Sequence, residues 1–354
     1  MGTSSEVHSG LRHGSGKRIL FKALLLLGAV VFAVTLTESL LVYKALFPPP
    51  PPKPTRTSFG IFEEYPPHGY RLKPNIRHTG VFVPGISERT SESRELGTQS
   101  NKNGFRGREF DEADDRTRIV VLGDSFVFGI GVEQTERFTE VLERIQPEWR
   151  VDNLGMAGFG VDLMVMALED VGLKLEPDVV VLCVYTDDFP RVRPYYQGMG
   201  FGLPRYRLQG DRLSVVPYPA HRPWDSLRSI ELFRRAYWKL TDGDMRLNRA
   251  ILERFVELSS QHGFVPLLVL IPGFWEDSSV DIERRQLIEE IAERHQVAFL
   301  DASDPLKQVG KKNAYIAGDI HLNAFGHEVL ARALRERLSR MTMRRPSGRG
   351  NSTH

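Results

Sequence analysis

Ser125, Asp319 and His321 are the side chains of this sequence best suited to do covalent chemistry together. Ser125 ends the tripeptide Gly123-Asp124-Ser125, directly after an apolar run, whereas Asp319 and His321 stand close together near the other end of the chain. A serine hydroxyl is a weak nucleophile at neutral pH, so it needs an imidazole to take its proton and a carboxylate to orient that imidazole. The three residue types therefore predict a serine nucleophile with its base and its orienting acid.

Each of these residues also has a plainer interpretation when it is taken alone. Ser125 could cap a helix after a strand, because serine accepts hydrogen bonds from free N–H groups at helix N-termini. His321 could be a loop histidine that contacts Asp319, and Asp124 is interpreted as a structural hydrogen-bonding residue rather than an acid. The chemical interpretation therefore depends on the elements that would bring these residues together.

Apolar runs alternate with helical patterns from Thr117 onward. The expected strands are 118–122, 151–154, 179–185, 264–271 and 297–300, and the expected helices are 136–145, 163–173, 245–262, 281–295 and 324–338. This alternation predicts an α/β fold with a five-stranded parallel sheet between two layers of helices. Ser125 would then lie at the carboxyl end of the first of these strands, where such sheets place their chemistry.

The N-terminal part of the chain carries one long apolar segment. Residues 19–43 are predicted to form a single transmembrane helix, since about 20 apolar residues span the bilayer core. Arg12, Lys17 and Arg18 precede this segment. By the positive-inside tendency, residues 1–18 would be cytoplasmic and the rest of the chain extracytoplasmic. A cleaved signal peptide is the competing interpretation.

The remaining segments are assigned by composition. Residues 44–57 are a proline-rich linker, which favours a stiff extended stalk, and residues 58–115 form an accessory segment of short strands and loops. The α/β body covers residues 116–340 and contains an aromatic and arginine-rich insertion at about 190–243. The basic tail 341–354 is predicted to be disordered.

Composition excludes several classes of protein. The 354 residues include 47 Lys plus Arg and 45 Asp plus Glu, a net charge of +2. The chain therefore has no strong positive electrostatic field that would favour binding to nucleic acid. The chain has one cysteine, Cys183, in an apolar run, which indicates a small buried side chain. No P-loop or dinucleotide fingerprint occurs, and His321 and His327 lack the spacing and companions of a metal site. We therefore expect no cofactor and no metal.

Three sequence blocks resemble the SGNH, or GDSL-like, hydrolase superfamily, and in particular its membrane-anchored bacterial members. The blocks are Val121-Leu122-Gly123-Asp124-Ser125, Asn153-Leu154-Gly155-Met156-Ala157-Gly158 and Asp319-Ile320-His321-Leu322-Asn323. The resemblance covers about 118–340, roughly two thirds of the chain. It implies a flavodoxin-like α/β/α fold in which Ser125 is the nucleophile, His321 the base and Asp319 the orienting acid. It also implies that the backbone N–H groups of Ser125 and Gly158 bind the oxyanion.

Two blocks depart from the family pattern. Asp187 stands where the family has an asparagine that donates a further N–H to the oxyanion, and a carboxylate offers only acceptors. Asp187 would have to be protonated, point away, or be replaced by another donor such as Thr186. The terminal block has one residue between Asp319 and His321 instead of two, which is similar to extracytoplasmic O-acetyltransferase-like relatives. The segment Asn103-Gly104-Phe105-Arg106 also resembles what precedes the nucleophile block in membrane-anchored members.

These observations lead to one expected function and two alternatives. The expected function is that of a membrane-anchored serine esterase acting on an ester group, acetyl esters included, of a small molecule, lipid or carbohydrate. The first alternative is a cell-envelope polysaccharide O-acetyltransferase, in which a sugar hydroxyl replaces water as acceptor. The second is a non-catalytic binding protein on the same fold, which Asp187 in the asparagine position suggests.

Overall fold

The structure is a computed structural model of the chain. It describes residues 13–46, 59–82, 94–111, 113–193, 196, 198–210, 212–217, 233, 236–238, 240–273 and 279–342, and within the first helix the side chains of 18–40. The proline run at 48–52 and the tail from 343 lie outside the described residues. The chain divides into two units, one of residues 1–53 and 221–237 and the other of residues 54–220 and 238–354.

The strands and α-helices alternate through most of the second unit. The strands are β1 (Phe62–Tyr65), β2 (Gly69–Leu72), β3 (Arg77–Phe82), β4 (Arg94–Gln99), β5 (Thr117–Gly123), β6 (Trp149–Gly155), β7 (Val179–Tyr185), β8 (Arg205–Gln209), β9 (Arg212–Val216), β10 (Val265–Ile271) and β11 (Ala298–Asp301). The helices are α1 (His13–Leu46), α2 (Ser125–Phe128), α3 (Phe138–Ile145), α4 (Val161–Asp170), α5 (Gly243–His262), α6 (Ser279–Arg294), α7 (Ser303–Gln308), α8 (Lys311–Ala314) and α9 (Ala324–Thr342).

The central sheet has five parallel strands in the order β11-β10-β7-β5-β6. The chain begins this sheet with β5, moves outward to β6, and then returns to the other side of β5 for β7, β10 and β11. The order reverses at β5, which makes the carboxyl end of β5 a switch point where open α/β sheets form crevices. This is the flavodoxin-like order, so the predicted fold class is confirmed.

Side chains that alternate between the two faces of the sheet give the fold its three layers, with the sheet between two layers of helices. In β5, Val120 and Leu122 lie in one apolar core with α4, α5 and α6, whereas Ile119 and Val121 lie in a second core with α3 and α9. Successive side chains of a strand point to opposite faces, so one wholly apolar strand serves both cores. Cys183 is buried in the second core, and burial raises the pKa of its thiol.

The strands expected from the sequence match those of the sheet within two residues at each end, whereas the helices differ more. The expected helix 163–173 begins earlier, at Val161, and ends at Asp170, after which a short 3-10 helix spans Gly172–Leu175. The short helices α2, α7 and α8 were not expected.

Two-stranded antiparallel sheets occur in the described parts of both segments outside this pattern. In the accessory segment β1 pairs with β2 and β3 pairs with β4, in agreement with the short strands expected there. In the described part of the insertion β8 pairs with β9.

Helix α1 is long and apolar enough to cross a membrane. The stretch that is long and apolar enough to span a bilayer is Arg18–Leu40, 23 residues, and its side chains are not buried. Length and composition make it a candidate membrane span or signal sequence. The predicted anchor 19–43 falls within this helix.

His327, in the first turns of α9, is buried in the second core. Its Nδ1 lies 3.3 Å from the backbone N–H of Phe138, from which it accepts, and its ring stacks on that of Phe138. Burial, with the nearby cation of Arg137, lowers the pKa of His327 to about 3. The imidazole of His327 is therefore neutral in the folded protein near neutral pH.

This depressed pKa gives a pH dependence of stability. The unfolded chain binds a proton at His327 below about pH 6.5 and the folded chain does not until about pH 3, so stability falls as the pH drops through this window. Between pH 7.5 and pH 5.0 we expect His327 to account for a loss of about 2 kcal/mol of unfolding free energy. The measurement is denaturant unfolding at both pH values for the wild type and for His327→Gln, whose amide oxygen keeps an acceptor for Phe138. Equal pH dependence in the two proteins would contradict this role for His327.

Candidate active site

Ser125 is the first residue of the short helix α2, which follows β5 directly. The Asp124 carboxylate accepts from the backbone N–H of Phe126 at 2.9 Å and so caps this helix. Gly129 ends it in the left-handed conformation, at φ 79°. Asp124 thus has the structural role that the sequence suggested, and the residue that caps the helix is Asp124 rather than Ser125.

Two glycines allow α2 to lie against the sheet. A Cβ on Gly155 would stand 2.5 Å from the backbone nitrogen of Phe128, and a Cβ on Gly123 would stand 2.2 Å from the Val127 side chain. These two glycines are opposite each other in the pairing of β5 with β6. Gly155 therefore allows the α2 backbone to lie close to β6, and Gly123 leaves room for the Val127 side chain.

Ser125, His321 and Asp319 lie side by side. The Ser125 Oγ is 2.8 Å from His321 Nε2, and His321 Nδ1 is 2.6 Å from Asp319 Oδ1. All three side chains are largely buried, with the His321 side chain 15% exposed. This geometry can transfer the hydroxyl proton to the imidazole while the carboxylate holds the ring, which is what an activated serine requires.

The short spacing of the terminal block is compatible with this contact. Asp319 Oδ1 accepts from the backbone N–H of His321 at 3.0 Å as well as from the ring nitrogen. An aspartate that bonds the N–H two residues on forms an Asx turn, which needs one intervening residue. The turn therefore brings the carboxylate to the ring without the second intervening residue of the usual family spacing.

The loop that carries His321 is held at both sides. The backbone N–H of Ile316 donates to His321 O at 2.9 Å, and the Asn323 side chain donates to Tyr315 O at 3.1 Å. The Tyr315 hydroxyl donates to Pro272 O at 2.5 Å, just past the end of β10. The imidazole ring also lies against Phe126, with ring centroids 5.2 Å apart. Both sides of the loop are thus tied to the carboxyl end of the sheet.

Two backbone N–H groups at this edge are available for a ligand. Among the residues that the structure describes, no acceptor bonds the N–H of Ser125 or that of Gly158. Ser125 begins a helix, where the first N–H groups have no partner within the helix. Gly158 follows the end of β6 in a tight turn at φ 83°. Unpaired donors beside a nucleophile are what an oxyanion site needs.

Asp187 does not contact Ser125 in this arrangement. Its carboxylate accepts from the Tyr185 hydroxyl at 3.0 Å and from Arg284 at 3.3 Å, and its side chain is 60% exposed. The Thr186 hydroxyl, the substitute considered above, donates instead to Asp281 at 2.9 Å. Of the three options raised by the sequence, the contacts of Asp187 favour the one in which it points away.

Arg191 joins three strand ends and was not singled out in the sequence. One of its nitrogens lies 3.0 Å from Asp124, 2.6 Å from Asp188 and 2.8 Å from Phe159 O. These partners follow β5, β7 and β6 respectively. Burial, and then the neighbouring Asp124 carboxylate, raises the pKa of Asp188 well above its usual range. The Arg191 cation lies between the two acids and offsets their repulsion.

Arg106, in the block Asn103-Gly104-Phe105-Arg106, supports α2 from its other end. Its buried guanidinium donates to Phe128 O at 3.2 Å and Gly129 O at 2.6 Å, where the helix ends. Further bonds go to Gly97 O and Val132 O, each at 2.9 Å. Burial, together with the nearby Arg137 cation, lowers the pKa of Arg106 to about 9. The block thus has a structural role that its sequence alone did not reveal.

In the described part of the chain no group of three or more His, Cys, Asp or Glu residues could hold a metal ion. The chemistry available at this edge is that of Ser125, His321 and Asp319 and of the backbone donors beside them.

Comparison with known proteins gives a family match for more than half of the chain. Residues 121–329 match the GDSL-like Lipase/Acylhydrolase family. All three sequence blocks quoted above begin and end within this range. No curated protein has a sequence that matches this chain.

Solved structures with a similar fold include three bacterial proteins. They are a member of the lipolytic protein G-D-S-L family from Veillonella parvula (17% identity, 63% of this chain and 98% of that chain, TM-score 0.42), a psychrotrophic esterase from Pseudoalteromonas sp. (12%, 64% and 99%, 0.44) and a catalytic mutant of an acetylxylan esterase from Geobacillus stearothermophilus (17%, 64% and 96%, 0.42). These similarities concern the fold.

The close approach at Gly155 can be tested by adding one methyl group. Gly155→Ala would place a Cβ 2.5 Å from backbone atoms of α2, which cannot move aside like a flexible side chain. We expect it to lower the unfolding free energy by about 1–3 kcal/mol and to displace Ser125, because overpacking forces backbone shifts. Unfolding curves and the rate of ester hydrolysis measure the two effects.

Gly60→Ala is the matched control, because a Cβ there meets nothing within 4 Å. It should change stability by no more than about 0.5 kcal/mol. If Gly155→Ala behaved like Gly60→Ala, close packing at Gly155 would not be what fixes α2.

Proposed function

Since this chain belongs to the GDSL-like lipase/acylhydrolase family and is therefore a hydrolase of ester bonds, we propose that Ser125, His321 and Asp319 are its catalytic residues. The observation that carries the proposal is the unbroken pair of contacts, 2.8 Å from Ser125 Oγ to His321 Nε2 and 2.6 Å from His321 Nδ1 to Asp319 Oδ1. Side chains at these distances can share the proton that a serine nucleophile must lose.

The reaction proceeds through an acyl-enzyme. Ser125 Oγ attacks the ester carbonyl carbon as its proton passes to His321 Nε2, and a tetrahedral oxyanion forms. The intermediate collapses when His321 returns the proton to the leaving alcohol, which departs. A water molecule then attacks the acyl carbon as it gives a proton to His321, and a second tetrahedral intermediate forms. His321 returns this proton to Ser125 Oγ as the bond between that oxygen and the acyl carbon breaks, which releases the acid and restores the hydroxyl. Asp319 keeps a proton on Nδ1 throughout and stabilises the imidazolium.

The oxyanion is bound by the backbone N–H groups of Ser125 and Gly158. Both donors lack acceptors among the described residues, and both follow strands that pair directly, with Gly123 opposite Gly155. Asp187 is left out of this set because its carboxylate is occupied by Tyr185 and Arg284. A two-donor site accounts for catalysis without the family asparagine, since each donor contributes separately.

The acceptor in the second step decides between the esterase and the O-acetyltransferase. Water gives hydrolysis, and a sugar hydroxyl in the same position gives transfer, with the same residues acting in both. The family supports hydrolysis. Product analysis with an acetyl ester and an added oligosaccharide separates the two, because transfer yields an acetylated sugar and hydrolysis yields only free acetate.

The N-terminal helix supports attachment of the enzyme to a membrane. Its apolar stretch Arg18–Leu40 is long enough to span a bilayer core of about 30 Å. With basic residues before it, the catalytic body would face the extracytoplasmic side. Esters of the cell envelope or of nearby lipids and carbohydrates are the substrates within reach of such an enzyme.

The role of Ser125 is tested by Ser125→Ala in the full-length protein in detergent. We expect hydrolysis of p-nitrophenyl acetate to fall at least about 1000-fold and labelling by a fluorophosphonate to disappear, because both need the serine oxygen. Hydrolysis rates and the fraction of labelled protein are the measurements.

Ser259→Ala serves as the control for this experiment. Ser259 is as buried as Ser125 but lies on α5, where its hydroxyl bonds Val256 O. It should keep full activity and labelling. Labelling of Ser125→Ala to the wild-type level, or a wild type that neither hydrolyses the ester nor reacts with the probe, would refute the assignment.

The anchor is tested by the size and location of the mature protein. We expect the protein to stay in the membrane fraction after an alkaline carbonate wash and to keep the full mass of 40.2 kDa, since an uncleaved apolar helix remains inserted. Leu27→Arg with Val31→Arg should release it, because charges at the centre of a span cost about 2.5–3.5 kcal/mol each. A soluble product shortened at its N-terminus would instead identify a cleaved signal peptide.

A further inference from the structure

We propose that Tyr70 and Tyr196 are positioning residues that hold the peptide of Gly158 in the orientation needed to bind the oxyanion. The inference rests on the proposed function, in which the Gly158 N–H is one of the two oxyanion donors. Tyr70 belongs to the accessory segment 58–115 and Tyr196 to the insertion 190–243. Both segments would then take part in catalysis through this one turn.

The two tyrosines bond successive carbonyl groups of the turn. The Tyr70 hydroxyl donates to Ala157 O at 2.6 Å, and the Tyr196 hydroxyl donates to Gly158 O at 2.8 Å. Tyr70 is fully buried. Burial, and then the neighbouring Tyr196, raises the pKa of Tyr70 well above its usual range, so its hydroxyl keeps the proton that it donates.

The bond from Tyr70 controls the N–H of Gly158 because both groups belong to one peptide unit. The carbonyl of Ala157 and the N–H of Gly158 lie in one plane and point in opposite directions across a trans peptide. A donor fixed on the carbonyl side therefore sets the direction of the N–H on the other side. It also polarises the peptide, which makes that N–H a better donor.

Gly158 needs this support because glycine alone does not fix the turn. Its φ of 83° lies in the left-handed region, where glycine is unstrained and other residues are disfavoured. A Cβ at this position would stand 2.9 Å from the Tyr70 hydroxyl and 3.4 Å from that of Tyr196. The same tyrosines thus fill the space beside the α-carbon and bond the carbonyls on either side of it.

The tyrosine rings are themselves fixed by packing. The Tyr70 ring meets Phe159 edge to face at 5.2 Å and stacks on Phe201 at 5.6 Å. The Arg205 guanidinium lies over the Tyr196 ring, 5.7 Å from its centroid, and donates to the Tyr196 carbonyl at 2.5 Å. Arg205 also bonds Asp162 in α4 at 2.9 Å. Hydroxyl groups on rings held in this way give a preorganised turn, which costs no rearrangement when charge develops.

A continuous chain of contacts connects this turn with the nucleophile. Phe159 O accepts from Arg191 at 2.8 Å, Arg191 bonds Asp124 at 3.0 Å, and the Ser125 hydroxyl lies 3.1 Å from the same Asp124 oxygen. The residue after Gly158 is therefore tied to the residue before Ser125. The position of the Gly158 peptide relative to the nucleophile is fixed from the side of the tyrosines and from the side of Arg191.

The test compares Tyr70→Phe with the wild type in the full-length protein. Losing the hydroxyl frees the Gly158 peptide, so we expect kcat/KM for p-nitrophenyl acetate to fall about 10- to 100-fold. This decrease is no larger than the decrease of about 100- to 1000-fold that follows removal of an oxyanion donor itself. The inhibition constant of phenylboronic acid, which forms a tetrahedral adduct with an active serine, should rise by a similar factor. Tyr196→Phe, in the less buried ring, should move both quantities in the same direction.

Tyr206→Phe is the matched control. Tyr206 is also a buried tyrosine, and its hydroxyl donates to Glu169 at 2.7 Å rather than to the turn. It should lose a similar amount of thermal stability while kcat/KM and the inhibition constant stay within about twofold. A purely structural role for Tyr70 would make the two variants alike.

The outcomes separate this inference from the proposed function. A wild type that reacts at Ser125, together with Tyr70→Phe and Tyr196→Phe proteins that keep wild-type kcat/KM and boronate affinity, would overturn the positioning role alone. A Ser125→Ala protein as active as the wild type would overturn both. If Tyr70→Phe fails to fold, Tyr196→Phe decides the question by the same two measurements.

Discussion

The close approach of the short helix α2 to strand β6 is the constraint on which the candidate active site depends. Gly123 and Gly155 face each other across two parallel strands, and neither has room for a side chain. The backbone of α2 therefore lies directly against the sheet. Ser125, its first residue, is at the carboxyl end of β5 beside the turn that follows β6. A parallel sheet makes this possible because the ends of neighbouring strands meet at one edge.

Buried arginines bond the backbone carbonyls and carboxylates at this edge of the sheet. Arg106 satisfies the carbonyl groups at the end of α2, and Arg191 joins Asp124, Asp188 and Phe159 O at the ends of three strands. Helix ends and strand ends leave backbone groups without partners, and a guanidinium has five donors with which to bond several of them. Such buried polar networks are costly unless satisfied, so they favour one arrangement of the chain ends.

Segments outside the strand-helix alternation complete the site. The accessory segment contributes Tyr70 and Arg106, and the described part of the insertion contributes Tyr196 and Arg205. Residues 58–115 lie before the stretch that matches the family. Tyr70 and Tyr196 bond carbonyl groups of the turn at Gly158, whereas Arg106 bonds the carbonyl groups at the end of α2.

The amino-acid sequence by itself determined the five strands, their parallel arrangement and the family, because apolar runs and glycine-rich blocks are local patterns. It also supplied Ser125, Asp319 and His321 as candidates, and His321 lies within hydrogen-bond distance of the other two. It did not indicate the partners of Asp187, the reach of Arg191 and Arg106, or the hydroxyl groups behind Gly158. Those depend on residues far apart along the chain, whose distances only the tertiary structure decides, since one spacing in sequence is compatible with many separations in space.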